Sequence, residues 1–161
     1  MTTEYLLNGC FLTGFSHWVN DGSWVISDKD SNPDCGGGDF AAKLGPTKFF
    51  GNGTPGVEGV LYQVVNDVPT DADFFTELLL VFVRGNYFKV EIYGIEGETE
   101  TLIATPVNWT TQMTNRNEWE TILGGFHNTT YTTLKYVVKG KFPSTNSIGM
   151  KFNSCRLFTI Q

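Results

Sequence analysis

Alternation of apolar and polar residues predicts β-strands rather than helices along most of this chain. The clearest case is residues 87–93, where Phe88, Val90 and Ile92 fall on one side and polar or amphipathic residues on the other. No segment keeps the 3.6-residue period of an amphipathic helix. The pattern therefore predicts an all-β fold.

Other apolar segments are separated by turn-forming residues about every 8–12 positions, which is typical of a β-sandwich. Gly85 and Asn86 stand between two such segments and predict a hairpin that joins them. With no linker or repeat, residues 1–161 are predicted to form one domain of about nine to eleven strands. The predicted strands are 5–12, 23–26, 40–44, 60–65, 76–84, 87–93, 99–104, 117–123, 132–138 and 148–160.

Composition and charge exclude several classes of function. The formal net charge of −6 argues against a nucleic-acid partner, which needs clustered Lys and Arg. No run of about eighteen apolar residues is present, so no membrane span is expected. The first residues lack the basic and apolar regions of a signal peptide, so we expect a protein that acts where it is made or has lost its leader.

The three cysteines, Cys10, Cys35 and Cys155, do not form a CxxC pair. Two interpretations stay open. Either all three are free thiols in a reducing compartment, or Cys10 and Cys155 form a bridge between the first and last strands.

Several short motifs follow one another over nearly the whole length of the chain. They are LNGCF at 7–11 followed by Trp18, AKLG at 42–45, LYQV at 61–64, Trp119 followed by 125–126 and 133–134, and FNSCRL at 152–157. In this order they resemble jelly-roll carbohydrate-binding modules of the galactose-binding-like type, in the form that tailed-phage decoration proteins use. The resemblance implies a single-domain antiparallel β-sandwich with jelly-roll topology.

The sequence departs from this family at the structural calcium that such modules often hold between their first and last strands. The matching positions are Cys10, Leu12 and Asn153, which offer one neutral amide where calcium prefers charged oxygens. The resemblance therefore predicts that this metal is lost. We expect the stretch 5–24, taken as the opening strand and its turn, to hold the closing strand around Cys155 by packing.

A second metal candidate is the acidic loop at residues 28–39. Asp28, Asp30, Asn32 and Asp39 occupy the first, third, fifth and twelfth positions of an EF-hand-like loop. Pro33 replaces the required glycine, so a solvated loop is favoured over a calcium site. No metal or other cofactor is expected.

Catalysis is not predicted, and surface aromatic residues are the remaining candidates for function. Neither His17 nor His127 lies in a nucleophile motif or at zinc-ligand spacing, and Glu118 and Glu120 are expected to be solvated. Sugars bind by stacking on flat rings while amides and acids orient their hydroxyls. The predicted contact residues are Trp24, Tyr62, Gln63, Tyr93 and Trp109, with Asn86 as a further donor, whereas Trp18 and Trp119 are predicted to be core.

Two non-catalytic functions fit these observations. The first is a virion surface protein of a tailed bacteriophage, a capsid decoration (cement) protein that binds the major capsid protein and stabilises the shell. This hypothesis implies a homo-oligomer made in the host cytoplasm, and the chain's own Met1 and missing linker favour it. The alternative is an extracellular carbohydrate-binding or host-glycan adhesion module that stacks sugars on surface aromatics.

Overall fold

The computed structural model describes residues 1–27, 40–46, 51–110, 118–144 and 149–161. These residues form eleven strands and no helix, so nothing within them could cross a membrane as a helix. The strands are β1 (Thr2–Glu4), β2 (Val19–Asn20), β3 (Val25–Ser27), β4 (Ala41–Leu44), β5 (Gly59–Val65), β6 (Ala72–Phe82), β7 (Tyr87–Glu96), β8 (Thr99–Thr110), β9 (Glu120–Asn128), β10 (Leu134–Lys141) and β11 (Met150–Ile160).

The strands form two sheets in which every pairing between named strands is antiparallel. One sheet, which we name the front sheet, has the order β2-β5-β10-β7-β8. The other, the back sheet, has the order β3-β4-β11-β6-β9, and β1 also pairs with β11. The predicted antiparallel β-sandwich is confirmed.

The core lies between the two sheets and is dominated by aromatic rings. Phe152 of β11 is at its centre, with ring centroids 5.3 Å from Trp24, 5.4 Å from Phe11 and 5.5 Å from Phe88. All four side chains are buried, and the rings meet edge-on or tilted, as aromatic quadrupoles favour. This cluster joins β7 of the front sheet to β11 of the back sheet.

The predicted hairpin between residues 76–84 and 87–93 is wrong. β6 pairs with β9 and β11 in the back sheet, whereas β7 pairs with β8 and β10 in the front sheet, so the connection crosses between sheets. A Cβ on Gly85 would lie 2.6 Å from the Phe82 ring and 2.7 Å from Met150. Glycine is therefore needed here for close packing, and not for a two-residue hairpin turn.

The predicted opening strand at 5–12 is also wrong, because β1 ends at Glu4 and a series of turns follows. Phe11 N donates to Asn8 O, and Asn8 and Phe11 adopt positive φ angles of 53° and 55°. The Asn8 side chain closes these turns by donating to Gly14 O at 2.9 Å. The segment is apolar because it contributes Leu6, Phe11 and Trp18 to the core. It does so without forming a strand, and its apolar residues therefore do not alternate with polar ones.

The opening stretch nevertheless holds the closing strand, as predicted. Cys155 N donates to Gly9 O at 3.1 Å, and Tyr5 N donates to Leu157 O at 2.8 Å. A bulge in β11 between Asn153 and Arg156 brings the Cys155 backbone against Gly9.

Neither interpretation of the cysteines survives. Cys10 is disulfide-bonded, and Cys155 is a buried free thiol that donates to the Tyr136 hydroxyl at 3.1 Å. Burial raises the pKa of Cys155 to about 12, which keeps it protonated. Cys35 lies outside the described residues.

Candidate functional site

The outward side of the front sheet carries three tyrosines. On β7 the inward residues are Phe88, Val90 and Ile92, as the alternation predicted, which leaves Tyr87 and Tyr93 on the outward side. Tyr62 reaches the same side from β5. We name this surface, the outward side of β5, β10, β7 and β8, the tyrosine face.

Strand register fixes the positions of these tyrosines. Tyr62 is opposite Val137 of β10, which is opposite Glu91 of β7, and Tyr93 is opposite Lys135. From strand spacing and rise, the Cα atoms of Tyr62 and Tyr93 are roughly 12 Å apart, and those of Tyr87 and Tyr93 roughly 20 Å. The three rings therefore span an elongated surface.

An ion pair lies at the centre of the tyrosine face. Glu91 accepts hydrogen bonds from Lys139 Nζ and the Tyr93 hydroxyl, each at 2.9 Å. Burial alone would raise the pKa of Glu91, but these two hydrogen bonds outweigh it and lower that pKa. Burial would likewise lower the pKa of Lys139, but hydrogen bonds to Glu91 and Tyr93 raise it. Both groups stay charged and fixed around Tyr93.

Lysines also contact the other two tyrosine rings. Lys135 Nζ lies 4.3 Å from the centroid of the Tyr62 ring and bonds Glu100 at 2.9 Å. Lys89 Nζ lies 4.3 Å from the centroid of the Tyr87 ring. Such cation–π contacts limit how the rings can move, so the surface is preorganised.

The Tyr87 hydroxyl donates to a Glu58 carboxylate oxygen. Burial and this hydrogen bond raise the pKa of Tyr87 to about 12. The phenol therefore stays protonated and keeps its partner across the physiological pH range.

The structure brings two of the five predicted contact residues together. Tyr62 and Tyr93 lie on the tyrosine face, but Trp24 is only 1% exposed and belongs to the core. Gln63 is buried as well, accepting from Leu7 N at 2.8 Å and donating to Leu7 O at 3.0 Å. Trp109 is half-buried and packs inward, with its ring edge-on to Phe82. These three placements correct the predicted site.

Sequence reasoning missed Tyr87, Lys139 and Glu91 as site residues, although a signal for them existed. Tyr87 and Glu91 share the period-two side of residues 87–93 with Tyr93, and Lys139 follows the same period in β10. Trp119, predicted to be core, is half-buried on the outside of the back sheet, with Lys151 Nζ 5.0 Å from its ring centroid. It directly precedes β9, which is an edge strand and leaves it open to solvent.

The acidic loop that the sequence offered as the less favoured calcium alternative is not tested by the structure. Asp28, Asp30, Asn32 and Asp39 lie outside the described residues. In the part of the chain that the structure covers, no group of His, Cys, Asp and Glu could hold a metal ion. At the family's calcium position Leu12 is exposed, while Asn153 is buried and donates to Phe40 O at 3.2 Å.

A cleft of about 320 Å³ opens on the back sheet beside the β11 bulge, on the side opposite the tyrosine face. Its charged groups bond each other: Arg156 Nε donates to Glu4 at 2.8 Å, and Glu4 also accepts from Leu157 N at 2.9 Å. Glu77 lies 3.7 Å from Arg156 Nη1. We assign this cluster the structural role of fastening β1 to β11.

His127 lies near the end of β9. Its Nδ1 contacts Asp73 Oδ1 at 2.8 Å, and its Nε2 contacts Asp71 Oδ1 at 3.2 Å. The hydrogen bond to Asp73, followed by that to Asp71, raises the pKa of His127. The His127 ring thus links β9 to the start of β6 and to the residue that precedes it.

This link predicts a pH-dependent contribution to stability. Because the folded-state pKa is raised, the contribution of His127 is full below its unfolded pKa of about 6.5 and is lost as pH rises through the folded pKa. We expect His127→Gln to cost more stability at pH 5.5 than at pH 9, measured by urea denaturation at both values. In an Asp73→Asn background, the costs of His127→Gln at the two pH values should be closer to each other. An equal cost of His127→Gln at both pH values in the otherwise unchanged protein would contradict the assignment.

Comparison with known structures identifies the fold. A family 61 carbohydrate-binding module solved in complex with β-1,4-galactotriose matches with a TM-score of 0.65 and 19% identity, over 98% of this chain and 99% of that one. A family 16 carbohydrate-binding module matches with a TM-score of 0.68 and 14% identity, over 95% and 98%. No protein-family model and no curated protein sequence matches the chain. At these identities the likeness establishes the fold, which is the jelly roll of carbohydrate-binding modules.

The same fold also occurs inside larger proteins. The enzymatically active domain of tailspike protein 4 from bacteriophage CBA120 matches with a TM-score of 0.69 and 10% identity, over 98% of this chain but 21% of that one. The neighbours thus include binding modules and parts of enzymes.

Proposed function

We propose that this protein is a non-catalytic carbohydrate-binding module whose ligand lies on the tyrosine face. The observation that carries the proposal is the presence of three tyrosine rings on one side of the front sheet, each in contact with a lysine. The match in fold to a module solved with β-1,4-galactotriose supports it.

The chemistry of the face suits a sugar. The apolar C–H faces of a sugar ring stack on Tyr62 and Tyr93, while polar groups between them orient the hydroxyls. Glu91 supplies acceptor oxygens and Lys139 supplies donors, and their mutual ion pair holds both in place before the ligand arrives. Since Tyr87 and Tyr93 lie roughly 20 Å apart along β7 and Tyr62 lies on β5, an oligosaccharide fits this surface better than a single sugar.

Loss of either central ring should weaken binding. We expect Tyr62→Ala and Tyr93→Ala each to lower the affinity for an oligosaccharide at least tenfold, because each removes a stacking platform at the centre of the surface. A glycan array identifies the ligand, and isothermal titration calorimetry with that ligand measures the loss.

Trp119→Ala on the back sheet is the matched control and should leave the affinity unchanged. Binding of no glycan by the wild-type protein, or equal losses in Trp119→Ala and the two tyrosine variants, would contradict the proposal.

We infer an extracellular location for this module. The support is the disulfide at Cys10, because disulfides persist in oxidising surroundings and are rare in a reducing cytosol. The capsid-decoration role predicted from the sequence, with a major capsid protein as partner and a homo-oligomeric state, stays a prediction. No contact among the described residues bears on it, and copurification with phage heads would test it.

A further inference from the structure

The end of the tyrosine face around Tyr87 carries two lysines without an ion pair, next to the Glu58 carboxylate that bonds the Tyr87 hydroxyl. Lys141 of β10 is directly opposite Tyr87 of β7, and Lys89 lies two residues further along β7. Within the described ranges neither lysine forms an ion pair with a carboxylate; Lys89 Nζ lies over the Tyr87 ring, and its charge helps to lower the pKa of Glu91.

The other two lysines of the face are neutralised. Lys135 is paired with Glu100, and Lys139 with Glu91 and Glu58. Three carboxylates thus stand against four lysines on this surface, and the two lysines without an ion pair of their own are Lys89 and Lys141, in a chain whose net charge is −6. The surplus lies at one end of the tyrosine face.

Strand register places Lys89 directly opposite Lys139, and like charges directly opposite each other destabilise an antiparallel pair. Glu91 offsets part of this repulsion, because Lys139 forms an ion pair with it and the charge of Lys89 helps to lower its pKa. An anion bound between Lys89 and Lys141 would offset more of it.

The geometry suits one anionic group held between two ammonium groups. Lys89 and Lys141 are diagonal neighbours on adjacent strands, so their Cβ atoms lie about 7–8 Å apart and both long side chains can reach one carboxylate. Asn108 and Thr110 of β8, opposite Lys89 and Tyr87, border the same spot with neutral hydrogen-bonding groups. The opposite end of the tyrosine face is more apolar. There Val64 lies opposite Lys135 and Leu102 lies opposite Tyr93, and both apolar side chains are about half exposed.

We propose that the tyrosine face binds an acidic glycan, with the carboxylate of a uronic acid residue held by Lys89 and Lys141. This inference rests on the proposed function, because Tyr62 and Tyr93 supply the stacking surface for the neighbouring sugars. The apolar end and the cationic end together give the bound chain a single orientation.

The experiment compares glycans that differ only in charge. Oligogalacturonate and alginate oligosaccharides, their methyl-esterified forms, a sulfated oligosaccharide and a panel of neutral oligosaccharides are titrated into the full-length chain at low and high salt. We expect an acidic form to bind about tenfold more tightly than its methyl ester, with a preference that weakens as salt rises.

Variants assign the preference to the two lysines. Lys89→Gln with Lys141→Gln should abolish the preference for the acid over its ester, so that the two forms bind this variant with equal affinity. Lys89→Arg with Lys141→Arg should keep it, and Lys151→Gln on the back sheet should change nothing.

The possible outcomes separate this inference from the proposed function. Equal affinity for acid and ester, or tighter binding of neutral oligosaccharides, overturns the uronate assignment and leaves carbohydrate binding standing. A preference for the sulfated oligosaccharide also overturns the carboxylate assignment. Binding of no glycan in any arm overturns both.

Discussion

Trp24→Ala is expected to lower the free energy of unfolding by about 4 kcal/mol, as truncation of a buried tryptophan typically does. The Trp24 ring is buried, with its centroid 5.3 Å from that of Phe152 and 6.4 Å from that of Phe88. Removing it opens a cavity where β3, β7 and β11 meet. Urea denaturation followed by far-ultraviolet circular dichroism measures the loss.

Trp24→Phe is the matched control. The indole Nε1 is buried and has no hydrogen-bond partner among the described residues, so phenylalanine keeps most of the apolar contact and removes an unsatisfied donor. We expect it to cost less than about 1.5 kcal/mol. If Trp24→Ala lowered the free energy of unfolding by less than about 1 kcal/mol and also reduced the glycan affinity of the folded protein, Trp24 would be a ligand contact and not a core residue.

The strands of the sandwich could be predicted because alternation is a local property. β5, β7 and β10 lie close to their predicted positions, since each buries every second side chain over six or more residues. The pairing of strands is not local, and this is why the β6–β7 hairpin was predicted wrongly. A glycine that terminates a strand gives the same signal whether the chain turns back or crosses to the other sheet.

The site was predictable to the extent that it depends on alternation alone. Tyr62 and Tyr93 occupy outward positions of long strands, whereas Trp24 directly precedes a strand of three residues, where alternation cannot tell inside from outside. The contacts of Lys139 with Glu91 and Glu58 depend on the register of β10 with β7 and β5. That register joins residues about fifty positions or more apart in sequence, and no local pattern encodes it.

The contact between the opening stretch and the closing strand predicts a second large effect, for Gly9→Ala. A Cβ at residue 9 would lie 1.9 Å from the Cys155 carbonyl oxygen and 2.9 Å from its carbonyl carbon. Both atoms belong to the main chain, so no side-chain rotation can relieve the clash. We expect the substitution to cost about 3 kcal/mol, the upper part of the usual range for overpacking, measured as a lower urea midpoint with an unchanged slope.

Gly125→Ala in β9 is the matched control, because its Cβ would meet its nearest neighbour, Phe74 O, at an ordinary 3.4 Å. It should change the stability by less than about 0.5 kcal/mol. If Gly9→Ala were as stable as Gly125→Ala, the hydrogen bond from Cys155 N to Gly9 O could not be close enough to hold the two segments together. The turns after β1 would then be a mobile flap over the back sheet. If only Gly9→Ala lowers the stability, the glycine at position 9 is required for the opening stretch, which is not a strand, to lie against the β11 bulge.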